Sequence, residues 1–262
     1  MSTDDLARLF GLDGKAALVT GGTRGIGMMI ARGLLQAGAS VVVSSRKAEA
    51  VQEAVSALSE FGTVRGVAAD LSRPEECARL AADVRSRTDA LHILVNNAGT
   101  TWGEPLETFP AAAWDRVLDL NVKAPFWMVQ ELLPALREAG THDDPARIIN
   151  VGSIDGIQVS PMPTYSYSAS KAALHQLTRV LAKELGPQHI TVNAIAPGPF
   201  PSKMMAATLD AFGDQIAASA PLRRIGRDDD MAGTALFLAG RAGSYVNGAV
   251  IPVDGGIAVD AR

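Results

Sequence analysis

The sequence predicts a single α/β domain of the doubly wound type, in which helices flank both faces of a seven-stranded parallel sheet. Seven short apolar or β-branched runs alternate with longer stretches, six of which have the amphipathic spacing of helices. The runs are apolar throughout, which is typical of parallel strands that are covered on both faces. No linker, repeat or low-complexity break divides the 262 residues, so we expect one domain spanning residues 1–262.

The predicted elements follow one another in a β-α-β-α succession, which implies right-handed crossovers between parallel strands. The predicted strands are 16–20, 40–44, 64–69, 91–95, 147–151, 190–196 and 249–253. The clearest helix has apolar residues and one threonine at three- and four-residue steps, namely Leu174, Leu177, Thr178, Leu181 and Leu185. The stretch 197–227 lies outside this alternation. Its prolines and a small apolar helix around 204–212 predict a substrate lid at about 198–226.

Composition and charge exclude several functional classes. Lys and Arg total 24 against 28 Asp and Glu, a net charge of −4, so no basic field would attract nucleic acid or acidic lipid. The single cysteine, Cys77, can form no internal disulfide and indicates a reducing compartment. Because the sequence has no targeting segment and no apolar run of about 18 residues, we expect a cytoplasmic protein that does not enter a membrane. His92, His142, His175 and His189 show no ligand spacing with one another or with Cys77, so we expect no metal site.

A glycine-rich turn follows the first predicted strand and opens the first helix, which is the Rossmann-type setting for a dinucleotide. Residues 20–27 read Thr-Gly-Gly-Thr-Arg-Gly-Ile-Gly, with the fingerprint glycines at 21, 25 and 27. Glycine allows positive φ and a close approach to a pyrophosphate, whose charge is attracted by the free N–H groups of the helix start. The spacing differs from the common fingerprint, and a tight turn that binds no ligand is the alternative interpretation. The predicted cofactor contacts in this turn are Gly21, Thr23, Arg24, Gly25, Ile26 and Gly27.

The end of the second predicted strand indicates NADP(H) as the cofactor. An NAD site usually has an acid about 20 residues after the glycine turn, but this chain has Ser45, Arg46 and Lys47 there. Arg46 can bind a 2′-phosphate through two hydrogen bonds, Ser45 can add another, and Arg24 can approach from the glycine turn. The alternative is that Arg46 and Lys47 form only a solvated helix start.

Another contact with the cofactor is predicted after the third strand, at Asp70 and Leu71. The Asp70 carboxylate can accept a hydrogen bond from an adenine amino group. Capping of the next helix is the alternative interpretation of Asp70.

Tyr167 and Lys171 are the candidate catalytic pair, because side chains at i and i+4 of a helix lie only about 40° apart. A nearby ammonium favours the phenolate, so we expect Lys171 to lower the pKa of Tyr167 and to make it a proton donor and acceptor. Tyr165, six residues from Lys171, points about 120° away and is not expected to take part. Ser153 follows the fifth strand, where active groups gather in an open α/β sheet, and its hydroxyl could hold a substrate oxygen. The alternative is that the Tyr and Lys belong only to the helix surface or the core.

Together these motifs resemble the short-chain dehydrogenase/reductase family over nearly the whole chain. The resembling segments, in order, are the turn 20–27, Asn96-Asn97-Ala98-Gly99, Asn121, Ser153, Tyr167 with Lys171, and Pro197-Gly198. The resemblance implies that Tyr167 is the general acid, that Ser153 polarises the carbonyl, and that Lys171 lowers the Tyr167 pKa and binds ribose hydroxyls. It also implies that Asn121 holds a water of the proton relay. The cofactor contacts that it implies are Asn97, Ala98, Gly99, Tyr167, Lys171, Pro197, Gly198 and, less typically, Ser202. Asn97 has the alternative of supporting the sheet as a hydrogen-bonded strand end.

The candidate substrate pocket is mostly apolar, which suits a lipophilic ketone or acyl chain. Its candidate residues are Thr101, Trp102, the stretch 154–162 and the lid 200–212, with Ile154, Ile157, Val159, Met162, Phe200, Met204, Met205 and Phe212 as its other apolar members. The alternative is that about half of them only close the core. Within the family the chain is most similar to 3-oxoacyl reductases, especially the type associated with rhamnolipid synthesis. Gln188 stands where acyl-carrier-protein reductases usually have a basic docking residue, so a CoA thioester or a free ketone is as plausible as a carrier-bound substrate.

The sequence thus predicts an NADPH-dependent enzyme that reduces a 3-oxoacyl thioester or another hydrophobic ketone to a secondary alcohol. In such a reaction negative charge builds on the carbonyl oxygen, and two hydroxyl groups within hydrogen-bond reach stabilise and then protonate it. Two alternatives remain open. One is a polyol or sugar-acid dehydrogenase of gluconate type, and the other is a catalytically silent protein that senses NADP. The resemblance also implies a homotetramer formed through the helices that carry Asn121 and Tyr167.

Overall fold

The computed structural model describes residues 2–203 and 205–259, and its seven strands form one fully parallel sheet. The strands are β1 (Ala16–Thr20), β2 (Ser40–Ser45), β3 (Val64–Ala68), β4 (Ile93–Asn96), β5 (Ala146–Val151), β6 (Ile190–Pro197) and β7 (Val250–Val253). Their order across the sheet is β3-β2-β1-β4-β5-β6-β7. This confirms the single, doubly wound Rossmann-type domain that the sequence predicts.

The α-helices cover both faces of the sheet. They are α1 (Thr3–Phe10), α2 (Gly25–Gln36), α3 (Ala48–Leu58), α4 (Pro74–Arg85), α5 (Ala111–Leu118), α6 (Ala124–Ala139), α7 (Tyr165–Leu185), α8 (Ala206–Ser219) and α9 (Asp228–Ala239). Alternate residues of β1 face opposite sides, so Val19 packs in one core with α2 and α9, whereas Leu18 packs in another with α4, α6 and α7. Burial on both sides explains why the strands are continuously apolar.

Two elements differ from the sequence-based expectations. The first helix, α1, was not predicted; a capping box of Ser2 and Asp5 starts it, and none of its residues is buried. Helix α8, in the segment predicted to be a lid, begins at Ala206 and continues to Ser219, past a non-helical residue at Phe212, so it is longer than the expected helix at 204–212. Met204 lies outside the described residues.

The strand order places the candidate site. The order reverses between β1 and β4, and ligands of open α/β sheets bind at the carboxyl ends of strands at such a switch point. The glycine turn follows β1, Asn97 follows β4 and Ser153 follows β5, so all three lie at the same edge. None of the described helices is long and apolar enough to cross a membrane.

Candidate active site

The glycine turn between β1 and α2 has a backbone that only glycine adopts without strain. Gly21 has φ +64° and Gly25 has φ +52°. A Cβ at Gly21 would lie 2.9 Å from Asn97 Nδ2, and a Cβ at Gly27 would collide with both Asn97 Nδ2 and the Gly21 carbonyl. The turn therefore fits closely against the end of β4 and leaves no room for side chains at these positions.

Asn97 supports the glycine turn through its side chain. Its Nδ2 donates hydrogen bonds to the carbonyls of Thr20 at 2.9 Å and Gly21 at 3.0 Å. The Thr20 hydroxyl accepts from the backbone N–H groups of Asn97 at 3.0 Å and Ala98 at 3.1 Å, and it donates to the Val95 carbonyl at 3.2 Å. This is the supporting role that the sequence left open for Asn97. Thr20 was not predicted as a member of the site, although it directly precedes the first glycine.

The start of α2 is open to an anion. Arg24 is its N-cap residue and makes no side-chain cap hydrogen bond, so the N–H groups of the first turn have no side-chain acceptor from the cap. Register pairing of Thr20 with Ser44 brings the ends of β1 and β2 together. Arg24 and Arg46 are both exposed, and within residues 2–203 and 205–259 neither forms an ion pair. These residues fit a dinucleotide whose phosphate groups would be bound by the two arginines and the helix start.

The structure shows how the residues after β3 are held, while their contacts with a cofactor stay a prediction. The Asp70 carboxylate accepts from the Ser72 hydroxyl at 2.9 Å and from the Ser72 N–H at 3.3 Å. The N-cap residue of α4 is Arg73, so Asp70 stabilises the turn that leads to the helix and does not cap it. Leu71 is buried in the core at 3% exposure, so a cofactor contact there would involve its backbone.

Tyr167 and Lys171 lie together on α7. The Lys171 ammonium is 5.5 Å from the centroid of the Tyr167 ring, and it donates a 2.8 Å hydrogen bond to the Val151 carbonyl at the end of β5. Tyr165, by contrast, is 39% exposed and packs edge-on against Phe109, with ring centroids 5.4 Å apart. The structure therefore brings Tyr167, not Tyr165, to the lysine.

Burial sets the proton affinities of this pair. It raises the pKa of Tyr167 to about 12; the Ser153 hydroxyl opposes the rise and the Asp155 carboxylate adds to it. Burial also lowers the pKa of Lys171 to about 8, against the effect of Asp155. The expected lowering of the Tyr167 pKa by Lys171 is thus not seen in this structure, because the loss of hydration outweighs it and the ammonium is bound to Val151. Tyr167 is a protonated phenol at neutral pH, which is the form that a general acid requires.

Ser153 is held at the carboxyl end of β5. It caps a 3₁₀ turn, Ile154–Gly156, and its Oγ accepts from the Asp155 N–H at 3.1 Å. The residue is 8% exposed. Ser153 thus presents a positioned hydroxyl next to the phenol of Tyr167, as the sequence-based pairing requires.

Asn121 lies in a π-helical segment, Asp119–Lys123, between α5 and α6. Its Oδ1 accepts from the Thr100 N–H, and its Nδ2 donates to the Thr100 carbonyl and to the Ser170 hydroxyl, each over 2.9 Å. Both donor hydrogens of the amide are therefore used by the protein. A relay water, which stays a prediction, would have to use the remaining lone pair of Oδ1 or the main chain of this segment. Ser170, which orders Asn121, was missed by the sequence reasoning although it lies between Tyr167 and Lys171.

The segment after β6, which the sequence predicts to be a lid, reaches the glycine turn at Ser202. A Cβ at Gly25 would lie 3.1 Å from the Ser202 Cβ, and Ser202 Oγ accepts from the Met205 N–H at 3.3 Å. Pro197 ends β6, and Gly198 lies so close to Asp254 that its Cβ would come within 2.7 Å of the Asp254 Cβ. Ser202 thus lies beside Gly25 of the glycine turn, whereas Gly198 lies against Asp254.

The predicted pocket residues differ in exposure: some are buried in the core and others are exposed to solvent. Phe200 and Ile154 are buried, at 2% and 7% exposure, and Phe200 belongs to the core around α2 and α9. Exposed apolar side chains remain at Ile157, Val159, Met162 and Phe212. Trp102 lies under the guanidinium of Arg116, which is 5.4 Å from the ring centroid. The alternative that part of the set only closes the core therefore applies to Phe200 and Ile154.

Gln188, the expected docking position, is next to a cation. Arg137 at the end of α6 donates a 2.6 Å hydrogen bond from Nε to Gln188 Oε1. Both residues precede strands, Arg137 before β5 and Gln188 before β6, so they lie at the opposite end of the sheet from Tyr167.

Comparisons with known proteins agree with this arrangement. The family profile described as enoyl-(acyl carrier protein) reductase matches residues 21–258. The chain is 50% identical over 252 residues to the rhamnolipids biosynthesis 3-oxoacyl-(acyl-carrier-protein) reductase of Pseudomonas aeruginosa, which covers 94% of this chain and 97% of that protein. It is 34% identical over 254 residues to a gluconate 5-dehydrogenase of Gluconobacter oxydans, covering 96% of this chain and 97% of that protein.

Among solved structures, the Pseudomonas aeruginosa RhlG/NADP active-site complex superimposes with a TM-score of 0.93 and 48% sequence identity. The match covers 96% of this chain and 99% of that one. Matches of this extent and identity place the chain in the short-chain dehydrogenase/reductase family, and it is an oxidoreductase of that family.

Proposed function

We propose that this protein is an NADPH-dependent reductase that converts a 3-oxoacyl thioester, or a hydrophobic ketone like it, to the secondary alcohol. The observation that carries the proposal is the half-buried, protonated Tyr167 beside Ser153 and Lys171, at the sheet edge that also holds the glycine turn. A phenol that keeps its proton at neutral pH, placed next to a second hydroxyl, suits the protonation of a carbonyl oxygen.

NADP(H) is the cofactor, and the chain has the groups to bind it. A relative at 48% identity is described in complex with NADP. In this chain Gly21, Gly25 and Gly27 let the backbone approach a pyrophosphate, and Arg24 and Arg46 would bind the 2′-phosphate. When bound, NADPH supplies the hydride, which is the part of the chemistry that no side chain can provide.

The side chains of the chain supply the proton and the orientation. Tyr167 donates its phenolic proton to the substrate oxygen, and the Ser153 hydroxyl donates a hydrogen bond to the same oxygen as its negative charge develops. Lys171 provides a buried positive charge next to the phenol, which favours the phenolate that remains after transfer. Because the Asp155 N–H donates to Ser153 Oγ, one lone pair of that oxygen is engaged and the hydroxyl proton is left to donate elsewhere.

A hydrophobic acyl substrate is favoured over a polyol. The exposed side chains of Ile157, Val159 and Met162 follow Ser153 directly and offer apolar contact area. The relative at 50% identity is named as a 3-oxoacyl reductase, whereas the gluconate 5-dehydrogenase is 34% identical. Within the 3-oxoacyl class the carrier is left to experiment. Within one subunit, the pair Arg137 and Gln188 lies at the opposite end of the sheet from Tyr167. A carrier protein that docks at this pair could therefore deliver its acyl chain only to the Tyr167 of another subunit.

A homotetramer is part of the proposal. The helices near Asn121 and Tyr167 expose large apolar side chains, namely Trp114 on α5, Phe126 on α6 and Val180 on α7. Burial of such side chains against other copies of the chain would stabilise an assembly. Light scattering should give four times the chain mass, and a monomer would contradict this part. We also propose a cytoplasmic location, because the reaction draws on the NADPH pool of the cell interior.

A ketone panel tests the function. The panel contains 3-oxooctanoyl-N-acetylcysteamine, the same 3-oxoacyl chain on CoA and on acyl-carrier protein, a hydrophobic monoketone and 5-ketogluconate, with NADPH oxidation followed by absorbance. We expect the thioesters to have the highest kcat/KM. Preferred turnover of the sugar acid would replace the proposal by the gluconate-type dehydrogenase. Tight NADPH binding without turnover of any ketone would replace it by the silent sensor.

A further inference from the structure

Asp155 lies at the catalytic edge of the sheet, but the proton transfer proposed above does not use its carboxylate. It is the middle residue of the 3₁₀ turn Ile154–Gly156, two positions after Ser153. Its side chain is half-buried, and within residues 2–203 and 205–259 it forms no ion pair. A negative charge is therefore held close to the hydroxyl that faces the substrate oxygen.

The turn that carries Asp155 packs directly against the catalytic helix. A Cβ at Gly156 would lie 2.7 Å from the main-chain carbon of Lys171 and 2.7 Å from the Ala172 nitrogen. On α7, the groups that face this turn are the Tyr167 phenol, the Lys171 ammonium and the His175 ring, whose Cε1 would lie 2.9 Å from the same Cβ. Burial lowers the pKa of His175 to about 4, so His175 is neutral at pH 7 and Lys171 is the cation that faces Asp155.

The field of Asp155 reaches the reacting groups. The carboxylate raises the pKa of both Tyr167 and Lys171. In turn, burial raises the pKa of Asp155, while a hydrogen bond with the Ser160 side chain and the charge of Lys171 lower it. Asp155 and Lys171 thus act on each other across the space beside Ser153, and their opposite charges leave this part of the site without net charge.

We propose that Asp155 is a specificity-determining residue, which makes the site favour neutral substrates over carboxylates of the same carbon skeleton. This inference rests on the proposed function and adds a substrate class to it. Without Asp155 the charge of Lys171 would attract an anionic substrate, whereas with Asp155 that attraction is cancelled. For unit charges up to about 10 Å apart at an effective dielectric constant of about 20, removal of one charge changes the relative affinity for an anion at least about tenfold.

A matched pair of stable alcohols tests the proposal in the oxidative direction. Methyl 3-hydroxyoctanoate and 3-hydroxyoctanoate share one carbon chain, and the ester differs by one methyl group and by the loss of the negative charge at the carboxyl end. NADP⁺ reduction gives kcat/KM for each, and the contribution of the methyl group cancels when the ratio is compared between variants. We expect Asp155→Asn to lower the ester-to-acid ratio of kcat/KM at least about tenfold relative to the unmodified protein. A general change in the Tyr167 pKa affects both alcohols alike, so it cancels in the ratio.

Two variants serve as controls. Asp155→Glu keeps the charge and should keep the ratio within about threefold of the unmodified protein. Asp115→Asn removes an exposed acid on the neighbouring helix α5 and should leave the ratio unchanged. Circular dichroism checks that Asp155→Asn is folded, and Asp155→Ser takes its place if it is not.

The outcomes separate this inference from the proposed function. If the unmodified protein reduces 3-oxooctanoyl-N-acetylcysteamine but neutralisation of Asp155 leaves the ester-to-acid ratio unchanged, the role of Asp155 is refuted and the function stands. An equal fall in kcat/KM for both alcohols also refutes it, since that would indicate a structural role. If the unmodified protein turns over neither the thioester nor the alcohols, the proposed function itself fails.

Discussion

The Asn121 amide donates a 2.9 Å hydrogen bond to the Ser170 hydroxyl, which donates in turn to the Tyr167 carbonyl over 2.7 Å. The same amide bonds both the N–H and the carbonyl of Thr100 in the loop after β4. One side chain therefore connects this loop to the first turns of the catalytic helix. Because Asn121 is 1% exposed, water cannot replace a partner that is removed.

Ser170→Ala should therefore destabilise the protein and disturb the site. It leaves one buried N–H of Asn121 without an acceptor, which costs about 1–3 kcal/mol. We expect the free energy of unfolding in urea to fall by that amount and kcat to fall, while NADPH affinity is kept. Ser168→Ala on the same helix is the control, since the Ser168 hydroxyl forms no hydrogen bond with the described residues. Equal stability of the two variants would contradict the bridging role of Ser170.

Gly27→Ala should abolish NADPH binding. Its Cβ would displace the Asn97 amide, which holds the turn through the carbonyls of Thr20 and Gly21. Titration of NADPH fluorescence measures the loss. Gly233→Ala is the matched control, because Gly233 lies inside α9 with open space around its Cβ position. We expect this control to bind NADPH normally and to gain up to about 1 kcal/mol in stability from the better helix former. Normal NADPH binding by Gly27→Ala would show that the turn does not form the cofactor site.

Arg46→Ala and Arg24→Ala should each weaken NADPH selectively. A charge-assisted hydrogen bond contributes about 1.5–3 kcal/mol, so each variant should raise the Kd for NADPH roughly tenfold to a hundredfold and leave the Kd for NADH nearly unchanged. Isothermal titration with both cofactors measures this. Arg65→Ala, which removes an exposed arginine on β3, should change neither Kd. Equal effects on NADPH and NADH would mean that the two arginines bind no 2′-phosphate.

The pH dependence of ketone reduction should report the loss of the proton from the Lys171 ammonium. Its pKa is lowered to about 8, so kcat/KM for ketone reduction should fall as the pH rises through about 8 and the ammonium is lost. Lys171→Met should be nearly inactive and should lack this alkaline limb. A profile that stays flat up to pH 10 would contradict the requirement for the charged lysine.

The pH dependence of the free energy of unfolding gives a second measure of the lowered Lys171 pKa. The folded pKa of about 8 lies below the reference value of 10.5, so between these pH values the unfolded chain binds the extra proton. The contribution of Lys171 to the free energy of unfolding is therefore unfavourable below pH 8 and rises as the pH increases from 8 to 10.5. The difference in unfolding free energy between the unmodified protein and Lys171→Met, measured in urea at several pH values, should show this rise. No change in that difference would mean that Lys171 is not desolvated in the folded state.

The sheet could be predicted closely from the sequence because burial on both faces imposes a pattern on each strand. β1 has the predicted bounds, and β4 begins two residues later than expected, at Ile93. Helix α1 has no comparable signal, since none of its residues is buried and the capping box at Ser2 alone starts it. The π-helical segment at Asn121 also has no sequence pattern of its own. The Asn121 side chain in it is held by hydrogen bonds with Thr100 and Ser170, which are distant in sequence.

For the site, the sequence predicts which residues meet but not their proton affinities. The spacing of Tyr167 and Lys171 on one helix is sufficient to bring them together. Their pKa values, however, depend on burial by residues distant in sequence. The hydrogen bond from Lys171 to the Val151 carbonyl also cannot be inferred from the residues that surround Lys171 or Val151 in the sequence. The electrostatic effect of Asp155 was missed for the same reason, although it lies two residues from Ser153.

A comparison of Tyr167→Phe with Tyr165→Phe tests most directly the claim that Tyr167 is the proton donor. Each variant removes one phenolic hydroxyl from the same helix, α7. Removal of a general acid costs about 10²- to 10⁴-fold in rate. With 3-oxooctanoyl-N-acetylcysteamine and NADPH, we expect Tyr167→Phe to lose kcat by that factor while it still binds NADPH, and Tyr165→Phe to remain within about twofold of the unmodified protein, as for a surface change. Turnover by Tyr167→Phe at the rate of the unmodified protein would contradict the assignment of this phenol as the proton donor.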